Sequence, residues 1–299
     1  MSDILILGSE GFIGANLTAF YLKKGWKVSG IDHFDNPTQP YHYYKQLGIS
    51  DFTALLLKNK FKFIVNAAGS GNVGFSITHP LGDFESNCFE TAKILDSIHI
   101  TEAKSIYLHI SSAAVYGNPQ QMPVKEVDRI QPLSPYGWHK FMSELLCKEY
   151  FEIYGIRSCI IRPFSVFGVG LKKQLFWDIY HKSIGNSKVE LFGSGQESRD
   201  FLYIDDLIKA IDILLDKAAM ESECYNVASG IETTIQEAAQ LFLKYFPSKV
   251  SIFFNGQTKP GDPLKWRADI SKIKELGFSP HIQIEEGLEL TYRWISKLQ

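Results

Sequence analysis

A glycine-rich turn near the start of the chain constrains the possible folds more than any other feature. Gly8, Gly11 and Gly14 directly follow Ile4–Leu7, an apolar run typical of a buried strand, and precede a helical segment. Glycines at this spacing permit a tight turn and let backbone N–H groups at a helix N-terminus approach a phosphate closely. The turn therefore predicts a Rossmann-type βαβ unit that binds a dinucleotide.

The next predicted strand indicates which dinucleotide is bound. This strand, Lys27–Ile31, ends at Asp32. A carboxylate at that place accepts hydrogen bonds from both ribose hydroxyls and repels a 2′-phosphate. No Arg or Lys follows Asp32 closely, so the sequence favours NAD over NADP as the cofactor.

Short strand-type runs alternate with helical segments through the first half of the chain, which is typical of a doubly wound parallel sheet. After about Phe167 the alternation weakens, although helices are predicted at 204–219 and 234–246. We therefore expect an α/β fold in two parts. Residues 1–167 form the NAD-binding Rossmann domain, and residues 168–299 form a smaller C-terminal α/β lobe for the substrate. The chain is free to cross back between the two parts.

Composition excludes several classes of protein. The formal net charge is −2 without a long run of one sign, which argues against a dedicated nucleic-acid or membrane-surface binder. The longest apolar runs are too short to span a bilayer. The cysteines are far apart and form no CxxC pair, which indicates reduced thiols, a cytoplasmic location and no metal site.

Three residues form a predicted catalytic group. Tyr136 and Lys140 are one helical turn apart on the predicted helix Pro135–Tyr154, so their side chains lie on one face. A phenol has a pKa of about 10, and a neighbouring ammonium together with a positively charged nicotinamide favours the phenolate. Ser112, at the end of a predicted strand, is suited to hydrogen-bond the oxygen that loses or gains the proton.

Taken together, these motifs resemble the extended short-chain dehydrogenase/reductases, in particular the NAD-dependent epimerase/dehydratase family. The resemblance extends over nearly the whole chain and rests on the following segments: Gly8–Gly14, Asp32, Asn66–Gly69, Ser111–Gly117, Tyr136–Lys140, Arg162–Phe164, Arg199–Phe201 and Leu276–Pro280. It implies a homodimeric enzyme that moves a hydride between nicotinamide and a nucleotide-diphosphate sugar, usually at C4. Tyr136 then moves the hydroxyl proton, and Ser112 matches the family's catalytic Ser/Thr.

The resemblance also assigns binding residues. Those implied for the cofactor are Gly8, Gly11, Phe12, Ile13, Gly14, Asp32, Ala67, Ala68, Gly69, Tyr136, Lys140 and Pro163. Those implied for the substrate are Ser112, Ser165, Arg199, Lys259 and Arg267. Arg199 matches an arginine that pairs with the diphosphate through forked hydrogen bonds. Lys259 replaces a second such arginine, and Arg267 is a nearby residue that shares its role.

Departures from the family pattern narrow the reaction. Ala113 and Ala114 stand where 4,6-dehydratases carry Asp and Glu, and methyl groups cannot transfer protons. Dehydration and decarboxylation are therefore disfavoured, which leaves oxidation and reduction at one carbon. Two activities fit, a nucleotide-sugar epimerase and an NAD(P)H-dependent reductase of 4-keto-6-deoxy sugars, and the epimerase is preferred. A non-enzymatic dinucleotide sensor has no need of the catalytic group. His139, bulky where small residues are usual, is interpreted as structural rather than as a proton carrier.

Overall fold

The computed structural model describes residues 3–33, 41–45, 50–258 and 261–298. The strands are β1 Asp3–Leu7, β2 Lys27–Asp32, β3 His42–Lys45, β4 Phe63–Asn66, β5 Ile106–Ile110, β6 Ser158–Pro163, β7 Ser165–Phe167, β8 Lys188–Leu191, β9 Ser198–Arg199, β10 Phe201–Tyr203, β11 Glu221–Val227, β12 Thr233–Thr234 and β13 Ser251–Phe254. The helices are α1 Phe12–Lys23, α2 Ser50–Lys58, α3 Val73–Thr78, α4 Pro80–Phe84, α5 Glu90–Ile100, α6 Pro135–Tyr154, α7 Gln174–Ser183, α8 Ile204–Lys217, α9 Ile235–Leu243, α10 Ser271–Glu275 and α11 Ile284–Ile295. A π-helical turn, Glu85–Phe89, and a 3-10 turn, Ala113–Val115, complete the regular elements in these ranges.

The central sheet is parallel, with the strand order β11-β6-β5-β4-β1-β2-β3. The order reverses between β1 and β4, and this is the switch point where ligands bind in doubly wound folds. The glycine turn follows β1 and the Asn66–Gly69 segment follows β4, so both lie at that point. The predicted α/β Rossmann fold is confirmed.

Both faces of the sheet are buried, which explains why its strands have continuous apolar runs. Along β1, Ile4 and Ile6 pack into one hydrophobic cluster, whereas Leu5 and Leu7 pack into the cluster on the opposite face. Because side chains alternate along a strand, the sequence Ile-Leu-Ile-Leu supplies both cores from one element. The glycine turn is therefore anchored by a fully buried strand.

The sheet includes two strands that the sequence did not predict, β3 at one edge and β11 at the other. β11 pairs in parallel with β6, from Glu221 opposite Ser158 to Val227 opposite Pro163. A segment beyond residue 167 thus returns to the N-terminal sheet, while the domain boundary itself stays a prediction. The rest of that half contains three small sheets, β10 with β7, β12 with β9 and β13 with β8. Within the described ranges, no helix is both long and apolar enough to cross a membrane.

Candidate active site

The glycine turn is held by backbone-to-backbone packing. Gly8 has a φ of 73°, and a Cβ placed on it would lie 2.8 Å from the carbonyl oxygen of Ala67. A Cβ on Gly14 would lie only 1.9 Å from the carbonyl oxygen of Gly8. These contacts exclude any side chain at either position. The turn, the first residues of α1 and the Ala67–Gly69 segment thus form one compact backbone surface.

Asp32 lies beside this surface, at the carboxyl end of β2. Its side chain is 5% exposed. One carboxylate oxygen accepts a hydrogen bond from the Glu10 backbone at 2.9 Å, and the other accepts one from the His33 backbone at 2.8 Å. A fixed carboxylate next to a side-chain-free turn suits a ribose and a pyrophosphate. The residues present therefore fit NAD.

We expect Asp32→Ala to narrow the preference for NAD over NADP by about tenfold or more, because the repulsion of a 2′-phosphate is lost. Dissociation constants for the two cofactors, measured by calorimetry on both proteins, test this. Asp3→Ala is the control, since it removes a carboxylate at the far end of β1. Tighter binding of NADP than of NAD by the unaltered protein would contradict the role of Asp32.

The predicted catalytic residues lie where β5 ends and where α6 begins. Ser112 follows β5 and begins the 3-10 turn, where its hydroxyl accepts a hydrogen bond from Ala114 N at 3.1 Å. Tyr136 is in the first turn of α6, which Ser134 caps by accepting a hydrogen bond from Gly137 N at 3.2 Å. Lys140 is buried, and its Nζ donates to the carbonyl oxygen of Ile110 at 3.0 Å. The strand end therefore fixes the lysine one turn after the tyrosine.

Burial dominates the electrostatics of this group. It raises the pKa of the Tyr136 phenol, while a hydrogen bond with the Ser112 side chain lowers it. Burial lowers the pKa of Lys140 to about 8, against the opposing influence of Asp83 and Glu144. The hydrogen bond with Ser112 favours the phenolate form of Tyr136, and the contribution expected from the Lys140 charge stays a prediction.

A buried network of hydrogen bonds attaches α6 to the central sheet. Glu144 accepts hydrogen bonds from Ser111 Oγ at 2.5 Å and from Arg162 Nε and Nη2 at 2.9 and 2.6 Å. Arg162 Nη1 also donates to the hydroxyl of Tyr116 at 2.7 Å, and that hydroxyl donates to Asn226 Oδ1 at 2.7 Å. The network joins α6, the end of β5, β6 and β11. It fixes the residue next to Ser112 relative to the helix that carries Tyr136 and Lys140.

His139 faces inward from α6. Its Nδ1 lies 2.7 Å from Asp83 Oδ2, and the ring of Phe84 contacts it edge-on. The interpretation of His139 as a structural residue agrees with these contacts. Asp83, which is completely buried, has no counterpart in the sequence predictions.

Ser165 and Arg199, two of the predicted substrate residues, are brought close together by the fold. Ser165 is the first residue of β7, and its backbone N–H donates to the Asp200 carbonyl at 2.9 Å, next to Arg199. The guanidinium of Arg199 lies 5.6 Å from the ring centre of Trp266 and 3.9 Å from an oxygen of Asp262. Burial lowers the pKa of Arg199, and Asp262 opposes this change. Nη1 of Arg199 donates to the Ser198 carbonyl at 2.8 Å, and the contact of Nη2 with Asp262 is long, so this side of the guanidinium is suited to bind an anion.

Arg267 and Lys259 are the other two cations that were predicted to bind the substrate. Arg267 lines a cavity of about 530 Å³ together with Ser229, Asp269 and Lys274. Lys259 lies outside the described residues. Their roles at the diphosphate stay predictions.

Comparison with known proteins identifies the class. Residues 4–228 match the profile of the NAD dependent epimerase/dehydratase family. The chain therefore belongs to that family, as its motifs indicated, and its members are enzymes that use NAD.

Individual relatives match over the full length of the chain. The UDP-glucuronate 4-epimerase of Thermodesulfobacterium geofontis is 28% identical, over 98% of this chain and 96% of its own. The UDP-glucuronic acid 4-epimerase of Bacillus cereus, crystallised with UDP-glucuronic acid and NAD, superposes with a TM-score of 0.91 at 27% identity, over 99% of this chain and 100% of its own. The UDP-N-acetylglucosamine 4-epimerase of Methanobrevibacter ruminantium, in complex with UDP-N-acetylmuramic acid, gives 0.90 at 25% identity and covers 100% of both chains.

Proposed function

We propose that this protein is an NAD-dependent 4-epimerase of a UDP-sugar. The observation that carries the proposal is the placement of Ser112 at the end of β5 and of Tyr136 and Lys140 at the start of α6. Ser112 is followed by Ala113 and Ala114, where elimination chemistry needs carboxylates. This set of side chains moves one proton at one hydroxyl and no others. The similar proteins named above as 4-epimerases support the same reaction.

The residues of the chain divide the work as follows. Tyr136 accepts the proton of the sugar hydroxyl and later returns it, acting as base and then as acid. Ser112 hydrogen-bonds the same oxygen and holds it near the phenol. Lys140, fixed by the Ile110 carbonyl, supplies a positive charge that stabilises the phenolate. Bound NAD supplies the hydride acceptor and donor, held by the glycine turn, Asp32 and the Ala67–Gly69 segment.

The decisive experiment incubates the purified protein with UDP-glucose, UDP-glucuronic acid and UDP-N-acetylglucosamine, without added NADH or NADPH. Appearance of the C4 epimer of one of them, followed by chromatography, is the expected result. A reductase would instead consume NADH or NADPH with a 4-keto-6-deoxy nucleotide sugar and leave all three UDP-sugars unchanged. That outcome would replace the epimerase proposal with the reductase.

Arg199 is proposed to bind the diphosphate of the substrate. We expect Arg199→Ala to weaken binding of UDP to the NAD-loaded protein by about 1.5–3 kcal/mol, the contribution of a charged hydrogen bond. Calorimetric titration measures this, and NAD affinity is expected to stay unchanged. Arg293→Ala is the control, because Arg293 is an exposed cation that pairs with Glu289 on α11. Equal UDP affinities of the Arg199 variant and the unaltered protein would overturn the assignment.

The proposed enzyme is a homodimer in the cytoplasm. Helix α6 exposes a row of apolar side chains, Trp138, Met142, Leu145 and Ile153, at roughly helical spacing. A second copy of the chain, packed against this row, would remove these side chains from water. The molar mass in solution distinguishes a dimer from a monomer.

The free cysteines, Cys88, Cys147, Cys159 and Cys224, suit a reducing compartment.

A further inference from the structure

A buried carboxylate lies under the catalytic helix. Asp83 is in α4, and its side chain is 0% exposed. Its backbone carbonyl accepts hydrogen bonds from Asn87 Nδ2 and Ser86 Oγ, both at 3.2 Å, so the turn around it is well fixed. Burying a carboxylate is expensive unless it is paired and hydrogen-bonded. The presence of Asp83 at this place therefore calls for a physical reason.

His139 is the partner of this carboxylate. Among the described residues, the only side chain hydrogen-bonded to the carboxylate of Asp83 is His139, whose Nδ1 is 2.7 Å from Oδ2. The second oxygen, Oδ1, is buried without a partner. His139 is itself held, because Phe84 packs edge-on against its ring and its carbonyl accepts a hydrogen bond from Ser143 Oγ at 2.8 Å. The orientation of the pair is thus fixed, and one of the two carboxylate oxygens makes no hydrogen bond.

The pair is attached to α6 between the two residues proposed to handle the proton. His139 follows Tyr136 by three positions on α6 and directly precedes Lys140. The Asp83 charge acts on both side chains, and it raises the pKa of each. The other carboxylate on this face, Glu144, is neutralised by Arg162. Among the described residues, other charged and titratable groups near the site include His109 and Tyr107 on β5, Cys88 in the π-helical turn, Cys147 on α6 and the exposed Glu85.

We propose that Asp83, held by His139, is a positioning residue that keeps Lys140 charged and sets the pH at which Tyr136 loses its proton. The physical basis is the field of a buried carboxylate near an ammonium and a phenol. The hydrogen bond with His139 holds the carboxylate in place against α6. The inference rests on the proposed function for the role of Tyr136.

The test measures the titration of Tyr136 directly. The ultraviolet absorbance of phenolate is followed against pH in the NAD-loaded protein, and the titration of Tyr136→Phe is subtracted so that only Tyr136 remains. We expect Asp83→Asn to lower the midpoint by about half to one pH unit, because a negative charge near the phenol is removed. The acid limb of the kcat/KM profile is expected to move by the same amount.

A second set of variants separates charge from structure. His139→Leu removes the hydrogen bond that holds the carboxylate against α6, so the midpoint is expected to fall as in Asp83→Asn. His139→Gln keeps a donor and is expected to leave the midpoint close to that of the unaltered protein. Glu85→Gln removes an exposed charge two residues from Asp83 and is expected to cause little change, because water screens it.

The outcomes distinguish this inference from the proposed function. If Asp83→Asn and His139→Leu leave the Tyr136 midpoint where Glu85→Gln leaves it, the inference is wrong. If the midpoint shifts as expected while no UDP-sugar is epimerised, the charge pair stands and the epimerase proposal fails. A fall in turnover without any shift of the midpoint would show a merely structural role for Asp83 and would also overturn the inference.

Discussion

Replacing Tyr136 with Phe is expected to lower the turnover of the NAD-loaded enzyme by about 10² or more, the share of general acid–base catalysis. The phenol lies in the first turn of α6, within hydrogen-bond reach of Ser112, and phenylalanine removes only its oxygen. The rate of epimerisation at saturating UDP-sugar is the measurement. The affinity for NAD and the free energy of unfolding are expected to change little.

A matched variant distinguishes chemistry from packing. Tyr154→Phe removes the same oxygen at the other end of α6, where the side chain is 46% exposed. We expect turnover close to that of the unaltered enzyme in this control. Turnover of Tyr136→Phe equal to that of Tyr154→Phe would remove Tyr136 from the proposed mechanism.

The parts of the site that could be predicted from the sequence are those fixed by local spacing. Gly8, Gly11 and Gly14 are close along the chain, and their function depends on a turn that only neighbouring residues build. Tyr136 and Lys140 are placed by the period of one helix. Ser112 follows from the end of a buried strand. In each case the relevant geometry extends over a few residues, so the sequence pattern contains it.

The parts that could not be predicted depend on long-range contacts. β11 has the sequence Glu-Ser-Glu-Cys-Tyr-Asn-Val, whose first half is polar, and it becomes a strand because it pairs with β6. Asp83 and His139 are 56 residues apart, so no local pattern joins them. Arg267 was predicted to share the role of Lys259 because the two are near in sequence, but its lining of a cavity with Ser229, Asp269 and Lys274 depends on the fold. The signal that was available for Glu144 is its position four residues after Lys140, on the same inward face.

The contact between Glu144 and Arg162 also determines the largest expected effect on stability. Both side chains are 6% exposed, and they form a forked ion pair in which Ser111 supplies a further hydrogen bond. The pair raises the pKa of Arg162, so the guanidinium stays charged inside the protein. Removing one partner of such a pair leaves an uncompensated buried charge, which is far more costly than the net stabilisation of the intact pair.

We therefore expect Glu144→Gln to lower the free energy of unfolding by about 3–5 kcal/mol, because glutamine keeps the shape of the side chain but not its charge. Urea unfolding with the slope of the transition checked against the unaltered protein measures this change. Glu152→Gln is the control on the same helix, since Glu152 pairs with Lys148 at 3.7 Å and both side chains are largely exposed to water. Its free energy of unfolding is expected to stay within about 0.5 kcal/mol of that of the unaltered protein. Replacing both Glu144 and Arg162 by Met is expected to destabilise less than Glu144→Gln alone, because no unpaired charge remains. Equal losses for Glu144→Gln and Glu152→Gln would mean that the buried charge of Arg162 is compensated by groups other than Glu144.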